Sequence, residues 1–132
     1  MAENIVPKLE VKSHDTPDER RTPERSTIDV NTLGDYTVGR FTFEPGWRWS
    51  DCIKPIVDTD SCQNNHVGYC ISGTLEVQTD AGDRAIIKAG DAYAIPPGHD
   101  AYVVGDHQFV SLELLSAPEY AVHDHLQRPR LR

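Results

Sequence analysis

The sequence predicts an all-β domain, and three observations predict it. Its apolar residues alternate with a period of two, turn signals recur at short intervals, and no segment of the domain sustains a capped period of 3.6. Ile28 and Val30 alternate with polar residues, as Leu75 and Val77 do with Thr74, Glu76 and Gln78, so both stretches read as strands with one buried face. In Tyr36 to Phe43 the apolar residues change phase around Gly39-Arg40, which predicts a bulge there. Val67 to Ile71 reads as an unbroken strand. The segment Gly-Asp-Ala-Tyr-Ala-Ile-Pro-Pro-Gly-His, Gly90 to His99, reads as a short apolar strand closed by a rigid turn that sets an imidazole at the start of the next strand. Further turns stand at Leu33-Gly34-Asp35, Glu44-Pro45-Gly46, Ser72-Gly73, Asp80-Ala81-Gly82-Asp83 and Gly105-Asp106. So many turns suit a sandwich, a jelly roll or a small barrel.

The 132 residues suffice for one domain with one core. From Lys12 to Arg25 there is no apolar residue and dense charge of both signs, so residues 1–25 read as an arm or tail, 26–117 as the barrel and 118–132 as a second tail. Thirteen basic against 21 acidic residues give a formal charge of -8, which disfavours nucleic acid and anionic membranes as partners. No apolar run approaches a membrane span or a signal-peptide core, so the expected compartment is the cytoplasm. Cys52, Cys62 and Cys70 are odd in number and lack zinc-finger spacing, which points to reduced thiols. A Gly-x-Ser-x-Gly elbow and a phosphate-binding glycine loop are both lacking, which sets nucleophilic hydrolases and nucleotide enzymes aside.

Gly90, five residues, and Pro96-Pro97-Gly98 resemble the second sequence motif of the cupin family, and Gly46, His66 and Gly73 resemble parts of the first. The chain is thereby identified as resembling a small single-domain cupin, over about Asp35 to Leu115. The resemblance implies a double-stranded β-helix, or jelly-roll barrel, with a metal site inside. The family's second-motif histidine normally falls at Ala101; this chain offers His99 instead, one step away on the same strand face. In the first motif, counting forward from Gly46 puts Cys52 at a histidine position, whereas counting back from Gly73 puts His66 at the glutamate position and Cys62 at a histidine position. An insertion, roughly Ile53 to Asp60, makes the two registers disagree. Many small cupins are dimers that exchange N-terminal strands, and the arm before Ser26 suits that role.

Two imidazoles, His66 and His99, with a thiolate from Cys62 or Cys52, make a borderline-soft set for a divalent transition metal, zinc, iron, nickel or copper. The competing reading makes both histidines buried polar groups bonded to backbone carbonyls, and Cys62 and Cys70 small core residues. Trp47 and Trp49 flank Arg48 in an extended stretch, where they would form one wall of a small-molecule pocket, the core or a dimer interface. Glu113 reads as an exposed strand glutamate, His107 as solvated, and His14, His123 and His125 as tail residues. Two functions follow: a metal-dependent enzyme acting on a small organic molecule, of dioxygenase, isomerase or lyase type, or a non-catalytic small-molecule binding or sensing barrel. A homodimer is expected in either case.

Overall fold

The computed structural model describes residues 6–118 and 120–122. His123 and His125, with most of the C-terminal tail, lie outside the described residues. The described strands are β1 (Glu19–Arg21), β2 (Ser26–Leu33), β3 (Tyr36–Phe43), β4 (His66–Ser72), β5 (Thr74–Thr79), β6 (Arg84–Lys88), β7 (Ala92–Ile95), β8 (His99–Val103) and β9 (Phe109–Glu113). They form a six-stranded sheet in the order β1-β2-β3-β9-β4-β7 and a three-stranded sheet in the order β6-β5-β8, with every neighbouring pair antiparallel.

The core lies between the two sheets. Phe41, Phe43 and Phe109 enter it from the larger sheet, and Leu75, Val77, Ala101 and Val103 from the smaller. Alternation places them there: Leu75 and Val77 are buried as the period predicts, while Glu76 and Gln78 face outward. The first passage from the larger sheet to the smaller takes a single residue, Gly73, between the end of β4 and the start of β5.

Three expectations are corrected. Pairing of β2 with β3 runs without a break from Ser26 opposite Phe43 to Leu33 opposite Tyr36, so no bulge interrupts β3. The change of phase marks its two faces: Phe41 and Phe43 point inward, Tyr36 and Val38 outward. Gly39 points inward as well, where a Cβ would stand 2.7 Å from that of Ala117. The register shift occurs in β4, between Cys70 and Ser72. Secondly, the domain does contain helix: the one-turn α1 (Trp49–Cys52) stands just before the insertion and the one-turn α2 (Lys54–Val57) within it, with Pro55 in the first turn of α2, where its missing N–H costs nothing. Trp49 therefore begins a helix and does not share a strand with Trp47.

Thirdly, the charged arm is docked. Its strand β1 pairs with β2, and polar bonds do what apolar burial would do elsewhere. Asp29, buried on the outer face of β2, accepts from Arg20 at 2.6 Å and from Arg40 at 3.1 Å. Asp18 accepts from the Thr32 amide, and Arg21 reaches the carbonyl oxygens of Ala117, Pro118 and Tyr120. Charged residues that carry no apolar surface thus gain fixed positions through charge-assisted bonds. Among the described residues, no helix is long and apolar enough to cross a membrane.

Candidate functional site

His66 opens β4 and points inward in the same phase as Gly68 and Cys70. His99 opens β8, after the Pro96-Pro97-Gly98 turn, and points inward with Ala101 and Val103. Cys62 comes from the stretch after α2, where backbone bonds lock it to β8: its N–H donates to the His99 carbonyl at 2.8 Å, and its carbonyl accepts from Gly98 at 2.6 Å. Three separate segments thereby bring Cys62, His66 and His99 together, all buried, with ligand atoms within 4.8 Å of one another. Among the described residues this is the group of histidine, cysteine and carboxylate side chains that could hold a metal ion.

Both imidazoles are held from behind. His66 Nδ1 bonds Glu113 Oε1 at 2.9 Å, and His99 Nδ1 bonds the Pro96 carbonyl at 2.8 Å. A carbonyl can only accept, so His99 Nδ1 carries a proton and its Nε2 is left to serve as donor atom for a ligand. Glu113 is itself held: Ser116 Oγ donates to Oε1 at 2.8 Å, and the Tyr93 phenol bonds Oε2. Cys62 Sγ stands 3.6 Å from His66 Nε2. Bond lengths of about 2.3 Å to sulfur and 2.0–2.1 Å to nitrogen, at a tetrahedral angle, separate those atoms by roughly the same distance.

Charge is shared unevenly in this cluster. Burial pushes the Cys62 thiol up, but its hydrogen bond with His66 and the nearness of His99 outweigh it and bring the group down to about 6. Burial pulls His66 down, yet its bonds to Cys62 and Glu113 raise it to about 9. Near neutral pH the metal-free pair is thus a thiolate and an imidazolium. Burial raises Cys52 and Cys70, which stay protonated. The ultraviolet absorbance of one thiolate should therefore appear with a midpoint near pH 6 in metal-free protein, and Cys62→Ser should abolish that step. A first thiolate titrating only near the ordinary value of about 8.5 would show that no such pair forms.

Phe41, Phe43, Trp47, Leu75 and Phe109 wall the space beside the histidines, with Tyr120 closing it. Trp47 lies flat on Phe43, rings 3.8 Å apart and 3° from parallel, and its Nε1 is buried with no partner among the described residues. The free space in the middle is about 20 Å³, enough for one water molecule and too little for an organic molecule without side-chain movement. A second cavity, about 60 Å³, reaches Cys62 from the other side, between Trp49, Val57, Thr59 and Asn64.

The structure brings together three of the four residues anticipated as ligands. Cys52 does not join them: it ends α1, just before the insertion, and the register counted back from Gly73 is the one that leads to Cys62. Trp47 and Trp49 are both buried and both border the histidine cavity. Glu113, expected at the surface, is instead 3 % exposed and lies behind His66. A signal for this exists in the sequence: Glu113 shares a strand phase with Phe109 and Ser111, and both of those are buried. Tyr120, beyond the expected end of the domain, packs 4.8 Å from the Phe41 ring and 5.6 Å from His66. His107 is exposed, and His14 bonds the Val38 carbonyl.

No protein-family model matches the chain, and no curated protein matches it in sequence. Solved structures do match in fold. A Rhizobium leguminosarum protein of unknown function superposes with a TM-score of 0.59 at 17% identity, covering 82% of this chain and 97% of its own. The oxalate decarboxylase of Lactobacillus farciminis, in complex with formate, gives 0.55 at 17% identity over 77% of this chain and 32% of that one. A variant of Bacillus subtilis oxalate decarboxylase gives 0.54 at 21% over 78% and 29%. The chain thus spans about a third of the length of the oxalate decarboxylases it matches. The fold is an all-β jelly roll of the cupin type.

Proposed function

We propose that this cupin-type barrel binds one divalent transition metal through Cys62, His66 and His99 and acts with it, as an enzyme, on a small organic molecule. The observation that carries the reading is the geometry of the three donors. A sulfur and two imidazole nitrogens face one another, and the far nitrogen of each ring is bonded to an acceptor behind it. Carboxylate or carbonyl partners of this kind orient metal-binding histidines. Zinc, iron, nickel and copper suit the set; magnesium and calcium do not. Such an ion supplies Lewis acidity or, for iron and copper, oxygen activation, and three protein ligands leave a position open. The chain's own part is to hold His66 through Glu113, to keep water out with the aromatic wall, and to admit a molecule along the cavity that reaches Cys62. The oxalate decarboxylases among the structural neighbours favour a lyase over the dioxygenase and isomerase types, and a tight cavity favours a substrate of few heavy atoms. The three free cysteines support a reducing compartment, the cytoplasm.

One observation favours the second reading, a non-catalytic binding or sensing barrel: the space beside the histidines is nearly filled in this conformation. Metal analysis of protein made without a histidine tag tests the proposal. Up to one transition-metal ion per chain is expected, with loss of it in the double variant His66→Ala/His99→Ala. Cobalt-substituted protein should show a thiolate charge-transfer band that disappears in Cys62→Ser and persists in Cys52→Ser. Equal metal in native and double variant, or none in the native chain after loading with each of the four ions, overturns the proposal. Metal-loaded protein with no turnover of small carboxylic acids or related compounds would favour the sensing barrel.

A further inference from the structure

We infer that Trp49 is the partition that sets the size of molecule able to reach the Cys62, His66 and His99 cluster from the surface. Two cavities meet the cluster, and Trp49 is the one residue that their linings share. The inner cavity, about 20 Å³, touches His66 and His99, while the outer, about 60 Å³, touches Cys62. Exposed Gln63 and half-buried Thr59 and Asn64 border the outer cavity, so that is the side open to water. A molecule entering there meets the Cys62 sulfur and the indole before it meets an imidazole.

The partition is held in place from both of its chain neighbours. Arg48 bridges to Tyr102 of β8 through the backbone and lays its guanidinium 4.4 Å from the centre of that ring. On the other side the Ser50 amide donates to Asp100 Oδ1 at 3.2 Å. Strand β8 opens with His99, so the strand that presents one imidazole also fixes the indole beside it. Trp49 itself is 2% exposed. The outer wall is held far less: α2 buries none of its residues, and few buried contacts mean a low cost of local movement. The outer cavity is therefore the part that widens easily, and the indole behind it is the part that does not.

A wall of this kind selects by size and shape. The outer cavity has room for about four water molecules, so an acyclic molecule of a few heavy atoms passes and a ring does not. Excess bulk of a single methylene in such a pocket already costs about 10–200-fold. Thr59, Gln63 and Asn64 line the entrance with polar groups, which suits a molecule that carries oxygen atoms along its length. A rival route exists on the far side, where a groove of about 130 Å³ between β6 and β7 meets Tyr93 and Ile95, both of which border the inner cavity. That groove touches no member of the cluster, and Tyr93 is held across it by its bond to Glu113. The inference deepens the proposed function and rests on it only in taking the cluster as the place of reaction. Its test needs neither metal nor turnover, so the two fail separately.

Methyl and benzyl methanethiosulfonate, applied to the metal-free full chain and located by peptide mass spectrometry, test it. A group attached to Cys62 Sγ enters the space that Trp49 bounds. In the unaltered chain the methyl reagent should label Cys62 at least about 100-fold faster than the benzyl reagent. Trp49→Ala should reduce that ratio to below about 10, and free indole, which refills the space, should restore it. Trp49→Phe keeps an aromatic ring in the core and should fall between the two. Ile95→Ala, on the side of the rival groove, should leave the ratio as it is. Cys70 is fully buried and borders none of these cavities, so it should stay unlabelled throughout. Equal labelling by both reagents in the unaltered chain, or a ratio that neither Trp49 variant lowers, overturns the inference. So does a ratio lowered by Ile95→Ala, which would place the entrance between β6 and β7. Labelling of Cys70 together with Cys62 in both Trp49 variants, or an open ratio that indole does not restore, would reduce Trp49 to a packing residue.

Discussion

Gly73→Ala should destabilise the domain by about 2–5 kcal/mol, a large share of the 5–15 kcal/mol by which domains of this size are stable. Two separate costs combine. Gly73 has a φ of +84°, a conformation that costs a residue with a Cβ roughly 1–2 kcal/mol. A Cβ there would also stand 2.2 Å from the Gln108 carbonyl oxygen and 2.7 Å from the Phe109 Cα, backbone atoms that cannot swing aside. Overpacking of that kind costs about 1–3 kcal/mol. Gly73 is moreover the single residue between β4 in the larger sheet and β5 in the smaller, so relief of the clash would pull β4 away from β9 or misdirect β5. Gly82→Ala separates the two costs, because Gly82 has a φ of +102° and a Cβ added to it would meet no atom within 4 Å. It should lose only about 1–2 kcal/mol. Urea unfolding of both variants checks this, and equal losses would show that the contact with β9 is not what makes Gly73 necessary.

Much of this architecture is legible in the sequence because its signals are local. Leu75 and Val77 alternate with polar residues inside one strand, and Pro96-Pro97-Gly98 fixes the direction of His99 from three neighbouring positions. Turn glycines at Gly73 and Gly90 carry their φ requirement in their identity. What stays hidden is non-local. The bridge between Cys62 and His99 joins a loop to a strand that follows it by more than thirty residues, and no spacing rule selects Cys62 over Cys52 without it. The arm is similar. Its charges read as a solvated tail until their partners Asp29 and Arg40 are seen on the face of the sheet. Glu113 is hidden for a different reason. It stands between Leu112 and Leu114, and the usual preference would bury the leucines and expose the acid. The leucines are outside because that face is apolar, and the carboxylate is inside because His66, Ser116 and the half-buried Tyr93 bond it there.

Glu113→Ala should weaken metal binding by about 10–100-fold, the range seen when the group behind a metal-binding histidine is removed. The carboxylate bonds His66 Nδ1, and with it gone nothing fixes which face or tautomer of the ring meets the other two donors. Its loss also strands buried groups, since the Tyr93 phenol, Ser116 Oγ and His66 all lose the same partner. Each unsatisfied group costs about 1–3 kcal/mol before relaxation, so the fold should lose stability as well. Stability alone does not distinguish a positioning role from a packing role, and the Cys62 titration does. His66 is held cationic by its bonds to Cys62 and Glu113, and a cationic His66 is among the groups that bring the Cys62 thiol down to about 6. Without Glu113 the imidazolium is less favoured, and the thiolate midpoint should move upward, towards the ordinary cysteine range. Glu113→Gln keeps one acceptor oxygen without the charge and should fall between the two in metal affinity, with its thiolate midpoint raised. Competition with a chromogenic chelator gives the affinities, and ultraviolet titration of the metal-free variants gives the midpoints. An alanine variant that loses stability yet leaves metal affinity and thiolate midpoint unchanged would reduce Glu113 to a packing residue and leave His66 to orient itself.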